Sequence, residues 1–483
     1  MTSRTKIIFL GGVGEIGRNM TLFEHDGKIL IVDVGLMFPT EDMLGVDLVL
    51  PDFEYVVSRA KSVVGILLTH GHEDHVGGVP YLLREMNPPI YGSRLTIGLL
   101  KPKLEEHHLL DKAKLREIKT PGRLTIGPFK LRCFATAHSI PDALSTIITT
   151  EAGTILHTGD FKLDRTPGGG KPTDLKGLAQ MAASGIDVML GDSTNADRPG
   201  HTPSEKVVSD ALSDVIRRAT GRVVIACFAS NIHRVQQAVD AARDHGRMVA
   251  FIGRSMKNNV RVSKELGYLE FPDAMHIPLE DIDSFPPENV LIVCTGSQGE
   301  PFAALSRMAA RDHKQIKLNS TDTVVLSATP IPGNESAVRR VTDGLFRIGA
   351  NVIQPPEYPV HVSGHASADD LKLILELVGP KWFVPVHGEY RHLATHARLA
   401  HEVGIAKDRT IVVEDGDVLE MSRGRLKKLD RIHAGYVLVD GLGIGDVGDV
   451  VLRDRRLLAD DGFVVCVVTV DSQTGELLAG PDI

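Results

Sequence analysis

The distribution of hydrophobic and polar positions divides the chain into a strand-rich first part and an alternating second part. In the first part, apolar or alternating runs are short and are broken by glycines, a pattern typical of strands. The Asp26-Gly27 pair between two such runs predicts a hairpin turn. We predict strands at residues 6–10, 20–24, 28–32, 65–69, 130–135, 145–149, 154–157 and 188–190, and a helix at 79–86.

After residue 204 the apolar positions take the helical period, with short apolar runs between the periodic segments. Strands that alternate with helices favour a parallel α/β sheet. We predict helices at 204–218, 231–245, 254–266, 371–378 and 391–403, and strands at 222–227, 248–252, 290–294, 323–327 and 382–386. The residues after 403 are predicted to be rich in strands.

Length and composition describe an ordinary globular protein of more than one domain, with 483 residues, 42% of them hydrophobic and 24% charged. The longest apolar run, residues 463–470, is too short to span a bilayer, and the N-terminus has no signal-peptide pattern. The four cysteines lie far apart without a CxxC pair, which argues against a disulfide scaffold and a cysteine zinc site. We therefore expect a cytoplasmic protein.

A glycine motif at residues 12–17 matches the GxGxxG pattern of dinucleotide-binding folds, and Asp33 follows it at about the expected distance. That fold needs a helix to begin at the glycines so that the helix N-terminus faces the pyrophosphate. Here the following residues turn back through Asp26-Gly27, which leaves no room for a helix and a return strand. The glycines are predicted to form a tight turn beside a site.

Four potential metal ligands, His70, His72, Asp74 and His75, lie within six residues directly after an apolar strand. Burying so many unpaired polar groups would be costly, and a solvated loop does not need them. Imidazole and carboxylate ligands suit Zn²⁺ or Mn²⁺, and this spacing can serve two cations. Three further candidates each follow a predicted strand, where a loop can direct them into a common cleft: His138, Asp160 and His387.

Together with the segments LGGVGEIGRNM, THGHEDHVGG, GDSTNA, TGSQGEP, HVSGHAS and PVHGEYRH, this set resembles the bacterial ribonuclease J family over essentially the whole chain. That family belongs to the β-CASP branch of the metallo-β-lactamase superfamily. The resemblance implies an α/β protein, an αββα sandwich with an inserted α/β β-CASP domain. The expected domains are a metallo-β-lactamase domain at 1–204 and 370–455, the β-CASP domain at 205–369, and a β-rich segment at 456–483 that leads to a C-terminal domain we expect to be missing.

The resemblance also implies site residues. His70, His72 and His138 would hold one divalent metal, Asp74, His75 and His387 the other, with Asp160 bridging the two metals. Asp192, His365 and Asp74 would be catalytic, and the residues do not decide whether Asp192 or His365 is the general acid. The implied substrate-binding residues are Ser230, Asn231, Ile232, His361, Val362, Ser363, Gly364 and His365. Ser230 is equally compatible with a helix N-cap. A structural cation, such as Ca²⁺, is implied at Gly45, Asp47 and Asp440, where plain turn residues are the alternative.

The function that the resemblance implies is 5′→3′ exoribonuclease activity on RNA with a 5′-monophosphate, with some endonuclease activity, in RNA maturation and decay. A water activated by two metals, Zn²⁺ or Mn²⁺, would attack the phosphodiester. The expected partners are RNA, a second copy of the chain in a homodimer weakened by the missing domain, and an RNA-degradation complex. The alternatives are a DNA nuclease of the same fold and a non-catalytic RNA-binding subunit.

The charge distribution is compatible with an RNA partner. The net charge is −8, yet residues 215–264 carry ten Lys and Arg against two acids. Affinity for a polyanion follows the local field, so a basic surface on an acidic protein can bind nucleic acid. The alternative is that these side chains form solvated helix faces. In the resembled family this segment would border the RNA channel.

Overall fold

The computed structural model describes residues 3–40, 42–168, 170–331, 333–441, 443–462, 464 and 466–482. The chain separates into two compact units, one of Met1–Met37 and Pro51–Gly435 and the other of Phe38–Leu50 and Tyr436–Ile483. We call them the first unit and the second unit.

Up to residue 192 the chain consists mainly of strands. In chain order these elements are β1 (Thr5–Gly11), β2 (Val13–Gly14), β3 (Met20–His25), β4 (Lys28–Val32), β5 (Leu48–Pro51), α1 (Glu54–Val57), β6 (Val63–Leu67), α2 (Glu73–Val76), α3 (Val79–Glu85), β7 (Ile90–Ser93), α4 (Arg94–Glu106), β8 (Leu115–Ile118), β9 (Gly122–Ile126), β10 (Phe129–Thr136), β11 (Ala143–Thr150), β12 (Gly153–His157), α5 (Leu175–Ala182) and β13 (Val188–Asp192).

Helices and strands then alternate before a strand-rich end. The elements are α6 (Glu205–Arg218), β14 (Val223–Ala226), α7 (Ile232–Asp244), β15 (Met248–Ile252), α8 (Arg254–Glu265), β16 (Val290–Cys294), α9 (Ala304–Ala309), β17 (Thr323–Leu326), α10 (Glu335–Ile348), β18 (Asn351–Ile353), α11 (Ala368–Val378), β19 (Trp382–Val386), β20 (Gly388–Glu389), α12 (Tyr390–Glu402), β21 (Val418–Ser422), β22 (Arg425–Lys428), β23 (Tyr436–Asp440), β24 (Gly443–Ile444), α13 (Asp449–Asp461), β25 (Val467–Val470) and β26 (Leu477–Asp482).

Two sheets of the first unit pack face to face. The eight-stranded sheet has the order β22-β21-β1-β3-β4-β6-β7-β8, and the six-stranded sheet has the order β19-β13-β12-β11-β10-β9. Their inner faces share one apolar core, which contains Phe9 and Phe23 from one sheet and Phe129 and Val384 from the other. The outer face of the first sheet is covered by α3 and α4, and that of the second by α5, α11 and α12. The result is the expected αββα sandwich.

The segment between β13 and β19 contains a separate parallel sheet with the order β15-β16-β14-β17-β18. Helices α6, α7 and α8 cover one face, and α9 and α10 cover the other. The predicted parallel α/β sheet is therefore confirmed. The segment begins and ends at neighbouring strands, because β13 and β19 pair in parallel from Val188↔Trp382 to Asp192↔Val386.

Helix α4 was not predicted. Leu95, Ile97, Leu99 and Leu100 are all buried, because the helix contacts both the sheet below it and helix α8 beside it. A helix buried on several sides lacks the polar face that reveals helical period in a sequence. Pro102 inside the helix further obscured the pattern.

The second unit is small and forms a three-stranded sheet of order β24-β23-β5, helix α13 and the hairpin β25–β26. Helix α13 extends across the predicted boundary at residue 456 into the segment expected to be β-rich. The apolar run at 463–470 contains β25 over Val467–Val470, and residues 463 and 465 lie outside the described residues. Within the described residues, every helix is too short or too polar to cross a membrane.

Candidate metal centre

The loops that follow six strands meet at one edge of the sandwich. The HGHEDH segment begins after β6 and continues into α2, which contains Asp74 and His75, and Asp33 follows β4. His138, Asp160 and His387 follow β10, β12 and β19, and Asp192 is the last residue of β13. Residues that end neighbouring strands at one sheet edge lie close together, so the fold gathers side chains that are far apart in the sequence.

His70, His72 and His138 form the first ligand set. His72 Nδ1 lies 3.0 Å from His70 Nε2 and 3.1 Å from His138 Nε2. Burial lowers the pKa of all three rings, that of His72 to about 4. These imidazoles are therefore neutral at physiological pH, the form in which histidine binds a metal.

Asp74, His75, Asp160 and His387 form the second ligand set. Asp160 Oδ2 lies 3.2 Å from His75 Nε2 and 3.3 Å from His387 Nε2. The same oxygen lies 3.6 Å from His70 Nε2, so it stands between the two sets. Burial alone would lower the pKa of His75, but the carboxylates of Asp160, Asp74 and Asp33 outweigh it and raise that pKa.

The ring orientations fit metal binding. His75 Nδ1 lies 2.7 Å from an oxygen of Asp33, and His138 Nδ1 lies 2.7 Å from the Gly364 carbonyl. A carboxylate and a carbonyl can only accept, so Nδ1 carries the proton in both rings and each Nε2 lone pair faces the ligand set. With imidazole and carboxylate donors in both sets, the residues present suit Zn²⁺ or Mn²⁺.

Asp33 is a site residue that sequence reasoning missed, because it was considered only as part of the glycine motif. Its carboxylate accepts hydrogen bonds from the Thr69 backbone N–H at 2.7 Å, from the Thr69 hydroxyl at 2.8 Å and from His75 Nδ1 at 2.7 Å. Asn19 supports the same loop by donating to the Asp74 carbonyl at 3.0 Å. The available signal was an aspartate directly after a buried strand.

Asp192 and His365 form a hydrogen-bonded pair beside the two ligand sets. Asp192 Oδ2 lies 2.8 Å from His365 Nδ1, while Asp192 Oδ1 accepts from the Thr194 backbone N–H and hydroxyl. The other ring nitrogen, His365 Nε2, lies 4.0 Å from Asp160 Oδ2. Burial alone would lower the pKa of His365, but Asp192, Asp160 and Asp74 outweigh it and raise it to about 9.

The residues predicted to bind substrate lie in two different environments. Asn231, rather than Ser230, is the N-cap of α7, with its side chain accepting from the Arg234 backbone N–H, and Ile232 is fully buried in an apolar core. In the loop 361–365, Val362 is buried, and Ser363 Oγ accepts from Asn195 Nδ2 at 2.8 Å. A side chain on Gly364 would meet His138 Cε1 at 2.7 Å, so this loop passes directly over the first ligand set.

The second unit contains Gly45, Asp47 and Asp440, the residues predicted to hold a structural cation. Asp440 forms an ion pair with Arg455, and Asp47 Oδ2 accepts from the Gly441 backbone N–H at 2.7 Å. A side chain on Gly45 would meet the Arg455 guanidinium at 2.6 Å. A positive group of the chain itself therefore neutralises Asp440, and the cation at these residues stays a prediction.

Four family models match successive parts of the chain. Residues 13–218 match the metallo-beta-lactamase superfamily, and residues 220–345 match the beta-CASP domain of ribonuclease J. Residues 358–412 match the Zn-dependent metallo-hydrolase RNA specificity domain, which includes the loop 361–365 and His387. Residues 450–483 match the ribonuclease J C-terminal domain, so similarity to that domain begins inside α13, before the segment expected to lead to it.

The chain is 45% identical over 482 residues to Ribonuclease J2 of Bacillus subtilis, covering 100% of this chain and 87% of that protein. The chain belongs to the ribonuclease J family. It is also 46% identical to Ribonuclease J of Thermus thermophilus, over 95% of this chain and 81% of that protein. Ribonuclease J of Mycolicibacterium smegmatis is 45% identical, over 99% of this chain and 85% of that protein.

A solved structure has a similar fold. It is a protein of unknown function from Enterococcus faecalis, with a TM-score of 0.60 and 15% identity, covering 88% of this chain and 100% of that one. As a member of the ribonuclease J family, the chain is a metal-dependent ribonuclease of the metallo-β-lactamase type with an inserted β-CASP domain. The divalent metal use that this family implies agrees with the two ligand sets.

Proposed function

We propose that the chain is a 5′→3′ exoribonuclease that prefers RNA with a 5′-monophosphate, with some endonuclease activity, and that it acts in RNA maturation and decay. The observation that carries the proposal is Asp160 Oδ2, which stands between two ligand sets and 4.0 Å from the His365 ring. Hydrolysis of a phosphodiester needs both an activated water and a proton for the leaving oxygen, and this arrangement has groups for each.

Each ligand set has a proposed role. His70, His72 and His138 would hold one divalent cation, and Asp74, His75 and His387 the other, with Asp160 shared. Bound cations would polarise the phosphodiester and lower the pKa of the attacking water. Asp74 is the most exposed of the carboxylate ligands, since 30% of its side chain is accessible, and it is proposed to face the substrate.

His365 is proposed as the proton donor and Asp192 as the group that orients it. Asp192 accepts from Thr194 and His365, so its carboxylate has little capacity left for substrate. Among the residues that the structure describes, His365 Nε2 has no hydrogen-bond partner, and it lies 4.0 Å from Asp160 Oδ2 of the ligand sets. An enzyme that prefers a 5′-monophosphate must leave one behind at each step. The P–O3′ bond therefore breaks, and the 3′-oxygen takes the proton from His365 Nε2.

The 5′-monophosphate preference is proposed to reside in the loop 361–365 and Ser230. Backbone N–H groups in a loop of small residues can approach a phosphate closely. This loop carries Gly364, whose carbonyl contacts His138, so a phosphate held there would be close to the metals. The family model described as an RNA specificity domain covers the same loop.

The deciding experiment compares one 5′-labelled RNA that bears a monophosphate, a triphosphate or a hydroxyl. We expect rapid release of labelled mononucleotide from the monophosphate form only, and loss of that release in His75→Ala. The matched control is His433→Ala, since that side chain is 77% accessible and lies outside the ligand sets. Internal cuts that ignore the 5′ end would replace the exonuclease proposal with an endonuclease. Cleavage of DNA but not RNA would favour a DNA nuclease of the same fold. No cleavage with either Zn²⁺ or Mn²⁺ would favour a non-catalytic RNA-binding subunit.

The domain boundaries at 204, 369 and 455 and the homodimer also remain proposals. Support for an intermolecular contact comes from the second unit, where Val467, Val470, Leu477 and Leu478 of the hairpin β25–β26 are exposed apolar residues. Exposed apolar clusters commonly mark interaction surfaces. Light scattering should give the mass of a dimer, and a monomer at micromolar concentration would contradict this proposal.

A further inference from the structure

Four charged side chains are buried together between the sandwich and the parallel sheet of the first unit. Lys162 Nζ lies 2.8 Å from Glu205 Oε1 and 3.7 Å from Asp164 Oδ2. Arg234 Nη2 lies 2.9 Å from the other oxygen of Glu205. The accessible fraction of each of these four side chains is 1% or less. We call Lys162, Asp164, Glu205 and Arg234 the buried ion network.

Glu205 is held in its charged form by its two cationic partners in the buried ion network. Burial alone would raise the pKa of Glu205, but Arg234 and Lys162 outweigh it and lower that pKa to about 2. Two cations and two carboxylates balance each other, which is how buried charges are tolerated. Such networks add little net stability, because apolar residues of similar volume often replace them without loss. Their value lies in fixing geometry, so the segments that the network connects indicate its role.

One end of the network holds the metal-ligand loops. Lys162 lies two residues after Asp160, and its backbone N–H donates to the Ala137 carbonyl at 2.8 Å. Ala137 directly precedes His138 in the chain. Lys162 therefore fixes the loops that carry Asp160 and His138 relative to each other, and its ammonium group attaches both to Glu205 at the start of α6.

The other end holds the loop that carries His365. Arg234 Nη1 donates to the Val360 carbonyl at 2.6 Å and to the Ser327 hydroxyl, which itself donates to the Val360 carbonyl at 2.6 Å. Val360 directly precedes the loop 361–365. Gln237 accepts from Arg234 Nε at 2.7 Å, so every nitrogen of this guanidinium is used within the protein. Because the Arg234 side chain is fully buried, it does not contact RNA, and it acts by holding the loop.

We propose that Arg234, held in place by Glu205 of the buried ion network, is a positioning residue that sets His365 against the metal ligands for proton delivery to the leaving oxygen. The inference rests on the proposed role of His365. Catalysis by a positioned acid is sensitive to displacement, and about 1 Å of misplacement costs roughly 10²-fold in rate. The loop 361–365 is tied to the ligand loops at one side by the Gly364–His138 hydrogen bond and at the other by this network.

The test uses Arg234→Lys, which keeps the positive charge beside Glu205 but cannot also reach the Val360 carbonyl and the Ser327 hydroxyl. Its matched control is Arg222→Lys. Arg222 is also a buried arginine and directly precedes β14; it pairs with Asp322 at 3.0 Å and donates to the Lys317 carbonyl at 2.9 Å, and both partners lie outside the loop 361–365. Both substitutions should lower the melting temperature by similar amounts.

Two substrates distinguish a loss of proton delivery by His365 from a general loss of activity. RNA has a poor leaving group that needs a proton, whereas a p-nitrophenyl phosphodiester releases a stable anion without one. We expect Arg234→Lys to lower kcat on RNA by about 10–100-fold, with metal content and KM unchanged, and to lower p-nitrophenyl hydrolysis less than about threefold. Arg222→Lys should change neither rate by more than about threefold.

Equal losses of Arg234→Lys on the two substrates, or an equal loss of RNA cleavage in Arg222→Lys, would overturn the inference. His365→Ala is measured in parallel. If it cleaves RNA at the normal rate, the proposed role of His365 fails, whatever Arg234→Lys does. If Arg234→Lys does not fold, Ser327→Ala replaces it, since it removes only one donor to Val360, and the same selective loss of RNA cleavage is expected at about 3–10-fold.

Discussion

Single side chains outside the ligand sets decide whether those ligands can work. Asp33 accepts three hydrogen bonds, two from Thr69 and one from His75, and thereby fixes both the ligand loop and the tautomer of a ligand. A carboxylate behind a ligating histidine also increases the basicity of the ring. The basicity of His75, and with it the metal affinity of the second ligand set, therefore depends on a residue outside that set.

Asp33→Asn should lower metal affinity by about 10–100-fold, because a neutral amide no longer stabilises the proton on His75 Nδ1. Metal titration followed by calorimetry or a competing chelator measures this. Asp26→Asn is the matched control, since that side chain is 65% accessible and lies in a hairpin turn. An Asp33→Asn protein with wild-type affinity would show that Thr69 alone orients the loop.

A second carboxylate, Asp415, lies beside the ion pair of Arg18 and Glu15, which is 2.8 Å long. Asp415 accepts from the Val13 backbone N–H at 3.2 Å and so holds the glycine turn, whose Gly12 carbonyl accepts from the His387 backbone N–H. Burial and the charge of Glu15 raise the pKa of Asp415 from 3.8 to about 7. The folded chain thus binds this proton more tightly than the unfolded chain.

The free energy of unfolding therefore falls as the pH rises from about 4 through about 7, because Asp415 must then ionise in its buried position. Asp415→Asn removes that cost. We expect the melting temperature of Asp415→Asn, relative to wild type, to be a few °C higher at pH 8.5 than at pH 5.5. Thermal melts at the two pH values measure this difference. The same difference at both values would show that Asp415 does not change its protonation state between them.

At the scale of elements, backbone hydrogen bonds hold the ligand loop against the start of β3 and the end of β4. The Asp74 carbonyl accepts from the Asn19 backbone N–H at 3.0 Å, and the His75 carbonyl accepts from the Val34 backbone N–H at 2.8 Å. Gly35 makes this approach possible, because a side chain there would lie 1.7 Å from the Asp74 carbonyl oxygen. Strand end and loop thus pack backbone to backbone.

Gly35→Ala should therefore unfold the ligand loop or move it by more than an ångström, with a loss of stability above about 2 kcal/mol and a loss of bound metal. Melting temperature and metal content measure both effects. Gly448→Ala is the control, since no atom of the described residues, apart from the two chain neighbours, lies within 4 Å of a side chain at that position. Unchanged metal content in Gly35→Ala would mean that the loop can move away without losing its ligands.

Sequence patterns predicted several elements closely, including strands that are buried on both faces. Strands such as β3 and β4 and helices such as α7 and α12 lie within one or two residues of their predicted bounds. Helix α4 was missed because it is buried against two neighbours. The HxHxDH cluster was visible because its members are adjacent, whereas the contacts of Asp33, Glu205 and Asp415 join residues distant in the sequence.

At the scale of the whole molecule, the basic segment 215–264 is less basic than its composition suggests. Arg222, Arg234 and Arg247 are buried in the protein. Arg217, Arg218, Arg243, Arg261 and Lys264 form ion pairs on the surface. Among the described residues, Arg254 and Lys257 of this segment are exposed and lie outside ion-pair distance of any acid. An RNA contact in this segment should therefore involve those two side chains.

The double variant Arg254→Ala, Lys257→Ala should reduce the slope of log affinity against log salt by about 1–2 and weaken RNA binding at low salt. Filter binding or fluorescence anisotropy at several salt concentrations measures the slope. Arg217→Ala, Arg218→Ala is the matched control, because both of its arginines already pair with Asp214. An unchanged slope in the first variant would show that RNA binds elsewhere.

The parallel pairing of β13 with β19, in which Asp192 lies opposite Val386, has a consequence for biosynthesis. The HGHEDH segment and Asp160 leave the ribosome long before His365 and His387, which are separated from them by the whole inserted segment. At about 5–20 residues per second, roughly 10–40 s pass between translation of Asp192 and of its strand partner. A half-made chain therefore carries no complete centre while it is still surrounded by ribosomal RNA and by its own message.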